Sequence, residues 1–468
     1  MQLQKNQRIS LQITGMTAEG SGVGRVPSDG VESQGLAVFV PYTAVGDEIE
    51  CRIVKVMSNR AYGITESLLS ASPDRLTDME REASSCPVFG KCGGCVYRHI
   101  RYEAELRYKQ QRVADALHRI GGLNPELCPI IPCDRSDHYR NKAQYPVAPG
   151  TYRPLIGFYA PRSHRVVEQR HCPLQPEIFG TAVDIVLQWV KGTGLPVYNE
   201  QTGEGILRHL YLRQGQTTGE LMICLVCRSG KLPQAKELIT RLREALPGLT
   251  SVIVNLNPRE TNVVLGKESY VLWGRETITD ELCGLRFHLS PRSFYQVNHE
   301  QAQRLYRLAA SEAALTGTQT LLDLYCGTGT IGLTMAHRVK ELIGVETVPE
   351  AIEDARKNAL ENGIQNARFL CADAAQAARQ LEEQHIRPQV VILDPPRKGC
   401  DEELIGILSR MGPDRIVYVS CDPATLARDL ARFQQKNYTV VRVTPVDMFP
   451  RTAHVECVSL LVKNKSIQ

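Results

Sequence analysis

What the chain lacks narrows its class first. No apolar run reaches about 18 residues, the length that crosses a bilayer. The opening MQLQKNQRISLQ has no charged-then-apolar leader. A soluble, cytoplasmic protein that stays off membranes is therefore expected. Internal repeats and low-complexity tracts are absent. None of the glycine-rich stretches carries a Walker lysine, which excludes a phosphate-transfer loop. Strong net charge is missing too: +4 over 468 residues points to no particular partner.

What is present divides into about three domains by size. Residues 1–70 alternate apolar and polar with frequent glycines, as in LQITGM, GSGVGRV and LAVFVPYTAVGDEIECRIVKV. Short strands with Gly/Pro turns predict a small OB-like β-barrel. No helix follows GSGVGRV, so its glycines do not cradle a phosphate. This segment resembles the TRAM domain, a barrel found beside RNA-modifying enzymes.

Residues 71–285 predict an α+β central domain. Helical patterns cover 178–191 and 233–246, and a hairpin pairs ILRHLYLR with GELMICLV around Gly215–Gly219. Between Lys91 and Arg170 stand 14 Lys/Arg against 7 Asp/Glu, a local +7. That excess fits a polyanion footprint, with Arg140, Asn141 and Lys142 placed to reach phosphates. It fits equally a solvated helix face in which Glu103 and Glu105 pair with Arg107 and Lys109.

Fifteen cysteines in a reducing compartment are core residues, metal ligands or catalysts rather than a disulfide framework. Cys86, Cys92 and Cys95 stand in a C-x5-C-x2-C spacing with Gly90, Gly93 and Gly94 between them. Three thiols in ten residues predict a metal site, with Cys128, Cys133 or Cys172 as fourth ligand. Cys172 precedes proline as Cys86 does, a recurring feature of iron–sulfur ligand sets. All-thiolate ligation suits either a cubane cluster or zinc. Cys224 and Cys227 lie in a strand pattern and read as core.

Residues 286–468 alternate strand and helix. TLLDLYCGTGTIGL is strand, glycine-rich turn, helix; LIGVE ends in Glu346, where an acid can grip a ribose diol; ARFLCAD ends in Asp373 and QVVILDPPRKG in Asp394. The helix Pro349–Asn362 closes at Gly363. The series resembles the class I S-adenosylmethionine-dependent methyltransferases, with ligands at the carboxyl edge of a parallel sheet. RIVYVSCDPATLARDL adds a buried strand and a turn carrying Cys421, where a helix N-terminus can favour a thiolate. The alternative for Cys421 is a small apolar core residue.

The thiol decides the chemistry. C5 of a pyrimidine is a poor nucleophile until something adds to C6. A thiolate adding there makes an enolate, C5 takes the methyl group, and a base removes the C5 proton so that the thiol can leave. Glu456, just before the last apolar strand, is the candidate base, and its alternative is a structural carboxylate. Enzymes that methylate amino groups commonly end the DPP turn in an aromatic; here the position holds Arg397.

Through SFYQVN, DLYCGTG, GVE, DPPRKG, SCDP and DMFP-TAHVE, residues from about 285 onward closely resemble the RNA uracil-5-methyltransferases. With the barrel and the cysteines, nearly the whole chain resembles the branch that methylates bacterial 23S ribosomal RNA. The resemblance implies Cys421 as nucleophile and Glu456 as base. It implies Gln296, Tyr325, Thr330, Glu346, Asp373 and Asp394 around S-adenosylmethionine. It also implies a [4Fe-4S] cluster on Cys86, Cys92, Cys95 and Cys172, a monomer, and 23S rRNA ahead of tRNA as substrate. Tyr325 and Thr330 depart from the family's commoner Phe and Asn. Two rivals stand beside this reading: a tRNA uracil-5-methyltransferase, and an RNA-binding iron–sulfur protein with an inactive methyltransferase domain.

Overall fold

A computed structural model describes residues 3–28, 31–83 and 86–464; the outermost residues of the expected barrel and methyltransferase segments fall outside it. The chain divides into two units. The first runs to Arg112 and takes in Tyr159–His164 and Phe449–His454; the second comprises Val113–Phe158, Arg165–Met448 and the residues from Val455.

Alternation in the N-terminal sequence becomes a six-stranded sheet with one buried face. The strand Glu48–Val56 buries Ile49, Cys51 and Ile53 and turns Glu48 and Lys55 outward. These residues pack with Leu11, Ile13, Val38, Val40 and Ala61. The glycines of GSGVGRV act sterically: a Cβ on Gly24 would lie 2.5 Å from the Gln12 carbonyl oxygen, and one on Gly22 would lie 2.0 Å from Thr43 Oγ1. Their absence of side chains lets the strand Ser21–Ser28 cross the first strand closely, so the sheet curls. The turn before Glu48 is locked by buried Asp47, which accepts from the Ala44 and Ser72 amides and from the Arg75 guanidinium.

The metal expectation is overturned here. Among the described residues no group of three or more His, Cys, Asp or Glu side chains could hold a metal ion. Among the described residues the central α+β region holds neither an iron–sulfur nor a zinc site. Spacing along a chain does not make thiols converge. Around Cys86 and Cys92 the chain folds into tight turns, with the Phe89 amide donating to the Cys86 carbonyl and the Cys92 amide to that of Val88. Cys92 Sγ accepts from the Gly94 amide at 3.3 Å. Cys86, Cys92, Cys95 and Cys172 thus form no metal-holding group. Glu105 and Lys109 form a buried pair at 2.6 Å, so this part of the basic region is neither a phosphate footprint nor a solvated face.

Among the described residues the second unit holds two large sheets and the two-stranded pair Ile278–Leu282/Leu285–Leu289. In the first, the hairpin Leu207–Gln214/Leu221–Cys227 forms in the expected place, with Tyr211 opposite Cys224. The helix Ala235–Ala245 then leads to the parallel strand Leu249–Leu256. Every residue of Leu221–Cys227 is buried, which accounts for Cys224 and Cys227 as core.

The other sheet has eight strands. Ala367–Cys371, Glu341–Glu346, Thr320–Leu324, Val390–Leu393 and Arg415–Ser420 run parallel in that spatial order. Glu456–Lys463 follows antiparallel, then Tyr438–Val446, with the two-residue strand Glu126–Leu127 at the edge. The order reverses beside Thr320–Leu324, so the strand ends there open a crevice at the carboxyl edge. This is the expected Rossmann-like architecture. Among the described residues no helix is long and apolar enough to cross a membrane.

Candidate active site

The first parallel strand ends in a turn that L-residues rarely adopt. Tyr325, Gly327 and Gly329 all have positive φ, at 66°, 55° and 81°. This lifts the backbone across the strand end and starts the helix Thr330–Met335. The Gly327 amide donates to Glu346 Oε2 at 3.2 Å, and Glu346 Oε1 accepts from the Thr347 and Val348 amides, fixing that carboxylate at the neighbouring strand end. Thr330 Oγ1 meets the Tyr306 hydroxyl at 3.1 Å. Asp373 caps the helix Ala374–Glu383, its Oδ1 accepting from the Ala375 and Gln376 amides.

Three acids gather beneath this edge. Asp323 is buried, and its Oδ2 accepts from the Gly332 amide at 2.9 Å. Its Oδ1 is a buried oxygen with no hydrogen-bond partner among the described residues. Burial first, then the charges of Asp394 and Glu346, push Asp323 up to about 7. Burial alone takes Asp394 to about 7. Backbone brought close by glycines, a fixed acid at the second strand end and a concentration of negative charge fit a cationic, ribose-bearing ligand such as S-adenosylmethionine.

Cys421 and Glu456 come together through strand register. Ser420 pairs with Cys457 across the antiparallel strands, so one step further Cys421 stands opposite Glu456. Asp394 follows the adjacent parallel strand. Burial and then the charge of Asp394 push Glu456 up to about 8, while Arg397 opposes the shift. Burial, Glu456 and Asp394 push the Cys421 thiol up to about 11, against the pull of Arg397. Asp422 caps the helix that follows, accepting from the Ala424 and Thr425 amides at 2.9 and 3.0 Å.

Several positioning residues carry no sequence signal of their own. Asp429 is buried on the helix that follows Cys421. It accepts from the Tyr418 hydroxyl at 2.7 Å and from the Cys400 amide at 2.8 Å, clamping the DPPRKG loop to the Cys421 strand. Asn298 caps the helix His299–Ala313 and donates to the Met448 carbonyl at 3.0 Å. Asn141 donates to the Gln296 carbonyl at 2.8 Å, so it orients the SFYQVN segment rather than reaching a phosphate. Burial, and then Arg213 and Arg140, drive Lys142 down to about 8. Phe294 stands 61% exposed between buried Ser293 and Tyr295, which leaves its ring open to a planar partner.

Comparison with known proteins matches most of the chain to described families. The family model described as tRNA (Uracil-5-)-methyltransferase covers residues 209–464, and the TRAM domain model covers residues 2–65.

The chain belongs to the tRNA (uracil-5-)-methyltransferase family.

It is an S-adenosylmethionine-dependent RNA (uracil-5-)-methyltransferase carrying a TRAM domain. It is 42% identical to an uncharacterized RNA methyltransferase of Halalkalibacterium halodurans, over 98% of this chain and 97% of that one. An uncharacterized RNA methyltransferase of Clostridium tetani is 40% identical over the same shares. Among solved structures, the Pyrococcus abyssi tRNA (uracil-54, C5)-methyltransferase in complex with S-adenosyl-L-homocysteine aligns over 97% of this chain and 99% of its own, at 28% identity and a TM-score of 0.76. A family member that acts on tRNA thus matches the chain from end to end, which overturns the ranking of 23S rRNA ahead of tRNA.

Proposed function

We propose that this enzyme methylates C5 of a uridine in tRNA, with Cys421 adding to C6 and Glu456 removing the C5 proton. The reading is supported most directly by the strand register that sets Cys421 opposite Glu456, with Asp394 on the adjoining strand. The end-to-end likeness to a tRNA enzyme supports the substrate class.

The labour divides along the chain: the barrel of residues 1–70 holds RNA, residues 71–285 orient it, and residues 286–468 perform the transfer. Gln296, Tyr325, Thr330, Glu346, Asp373 and Asp394 surround the methyl donor, which supplies an electrophilic carbon on a sulfonium. Cys421 acts as a thiolate, its sulfur bonding to C6 so that electron density collects on C5. After C5 has gained its methyl group, ionised Glu456 takes the C5 proton. The C–H electron pair closes the C5–C6 double bond, and the C6–S bond breaks to return the thiolate. Arg397 opposes the acids around both groups and so favours the ionised forms that chemistry requires. The target base has to leave its stack, and Phe294 offers a face for stacking.

Mass mapping of 5-methyluridine in tRNA and ribosomal RNA, from cells with and without the gene, tests the substrate. The modification is expected to vanish from tRNA. Loss confined to ribosomal RNA would overturn the assignment.

A further inference from the structure

Glu456 opens its strand directly after the segment Phe449–His454, which belongs to the first unit although its flanking residues belong to the second. Within the first unit that segment is held from one face of the helix Tyr102–Arg119. Glu105 Oε1, fully buried, accepts from the Arg451 amide at 2.7 Å and from Lys109 Nζ at 2.6 Å. Lys109 Nζ donates onward to the Phe449 carbonyl at 3.2 Å, and Arg112 Nη1 to the Ala453 carbonyl at 2.7 Å. The Arg451 carbonyl accepts from the Val96 amide at 2.8 Å, and Arg451 itself is held at φ 67°, a conformation costly for a residue with a Cβ. A buried ion pair spent on the backbone of one short loop is a poor way to gain stability. It is an effective way to fix where that loop ends.

We propose that Glu105, Lys109 and Arg112 are positioning residues for proton abstraction: they set the segment that delivers Glu456 to its strand end. The inference rests on the reading of Cys421 as nucleophile and Glu456 as base. It separates the two halves of the reaction, because sulfur addition and methyl transfer depend on the Cys421 side of the site and only the release step depends on Glu456. A base displaced by about an ångström loses on the order of a hundred-fold in rate, while earlier steps proceed.

The full-length enzyme carrying Glu105→Gln, and separately Arg112→Met, is assayed on two tRNA transcripts. On 5-fluorouridine-substituted transcript with donor present, the C5 position has no proton to lose, and the enzyme stops as a covalent adduct after methyl transfer. Adduct formation is expected within about two-fold of the parent. On ordinary transcript, turnover is expected to fall about ten-fold or more, and a denaturation-resistant enzyme–RNA complex to accumulate. A parallel fall in adduct formation and turnover would mean a merely structural role and overturn the proposal, as would two unchanged rates. If Glu105→Gln does not fold, Arg112→Met, which leaves the buried pair intact, decides between these outcomes alone. Glu456→Gln is the control: trapping by Glu456→Gln but by neither variant sinks this inference only, whereas no trapping by Glu456→Gln sinks the underlying reading with it.

Discussion

The N-terminal sheet and the C-terminal sheet solve opposite problems. In the first, burial alternates along a strand such as Glu48–Val56, leaving Glu48 and Lys55 exposed and Glu50 and Arg52 partly so. Polar groups can be presented along the length of such a strand. In the second, Val390–Leu393 is buried throughout and Arg415–Ser420 nearly so. A strand covered on both faces has no side to offer a ligand. Its polar groups appear where it stops, and Glu346, Asp394, Cys421 and Glu456 all lie at or next to strand ends. One sheet is built as a surface and the other as a row of endpoints.

Substitution at an endpoint should therefore change rate, and substitution within the curled sheet should change stability. The largest effect is expected for Cys421→Ser, which removes the group proposed to bond to C6. Methyl transfer to tRNA should fall by about 10³-fold or more, with donor binding by calorimetry retained. Substantial turnover in this variant would break the contrast at its centre.

Glu456→Gln comes next, with turnover down by about 10²–10⁴-fold. It also carries a sign that sharpens the comparison. Glu456 titrates at about 8 in the fold, above its ordinary 4.5, so the folded protein favours its protonated form. Its ionisation costs stability that is absent below the ordinary value and grows as pH rises through about 8. Glu456→Gln should thus raise the unfolding temperature at about pH 9 by about 2 °C and change it little at about pH 5. The parent's activity should run the other way, declining as pH falls through about 8 because the base must be ionised.

The smallest effect on chemistry is expected in the curled sheet. A side chain on Gly24 meets the Gln12 carbonyl, so Gly24→Val should cost about 1–3 kcal/mol in denaturant unfolding. Its kcat should stay near the parent value wherever the protein is folded.

Local signals made much of the fold legible in the sequence. The helix expected at Pro349–Asn362 spans Pro349–Glu361, with Gly363 at φ 68° ending it, because caps and glycine conformations are short-range rules. The candidate residues at strand ends were legible for the same reason, since strand-turn-helix units announce where a strand stops. Nonlocal placement was not. Nothing in the residues near 126 marks Glu126–Leu127 as an edge strand of a sheet formed more than 190 residues later. The clustered cysteines misled because a spacing along the chain is no measure of a metal-holding group, and none forms among the described residues. Asn141 looked like a phosphate contact, but it is buried and gives its amide to the Gln296 carbonyl.

The burial of Cys421 beside two acids has a consequence for the enzyme's life in a cell. Peroxides and alkylating metabolites attack sulfur in its anionic form, and a thiol held near 11 offers them almost none of it at neutral pH. By burying that sulfur beside Glu456 and Asp394, the chain holds it in a form that resists the wrong electrophiles.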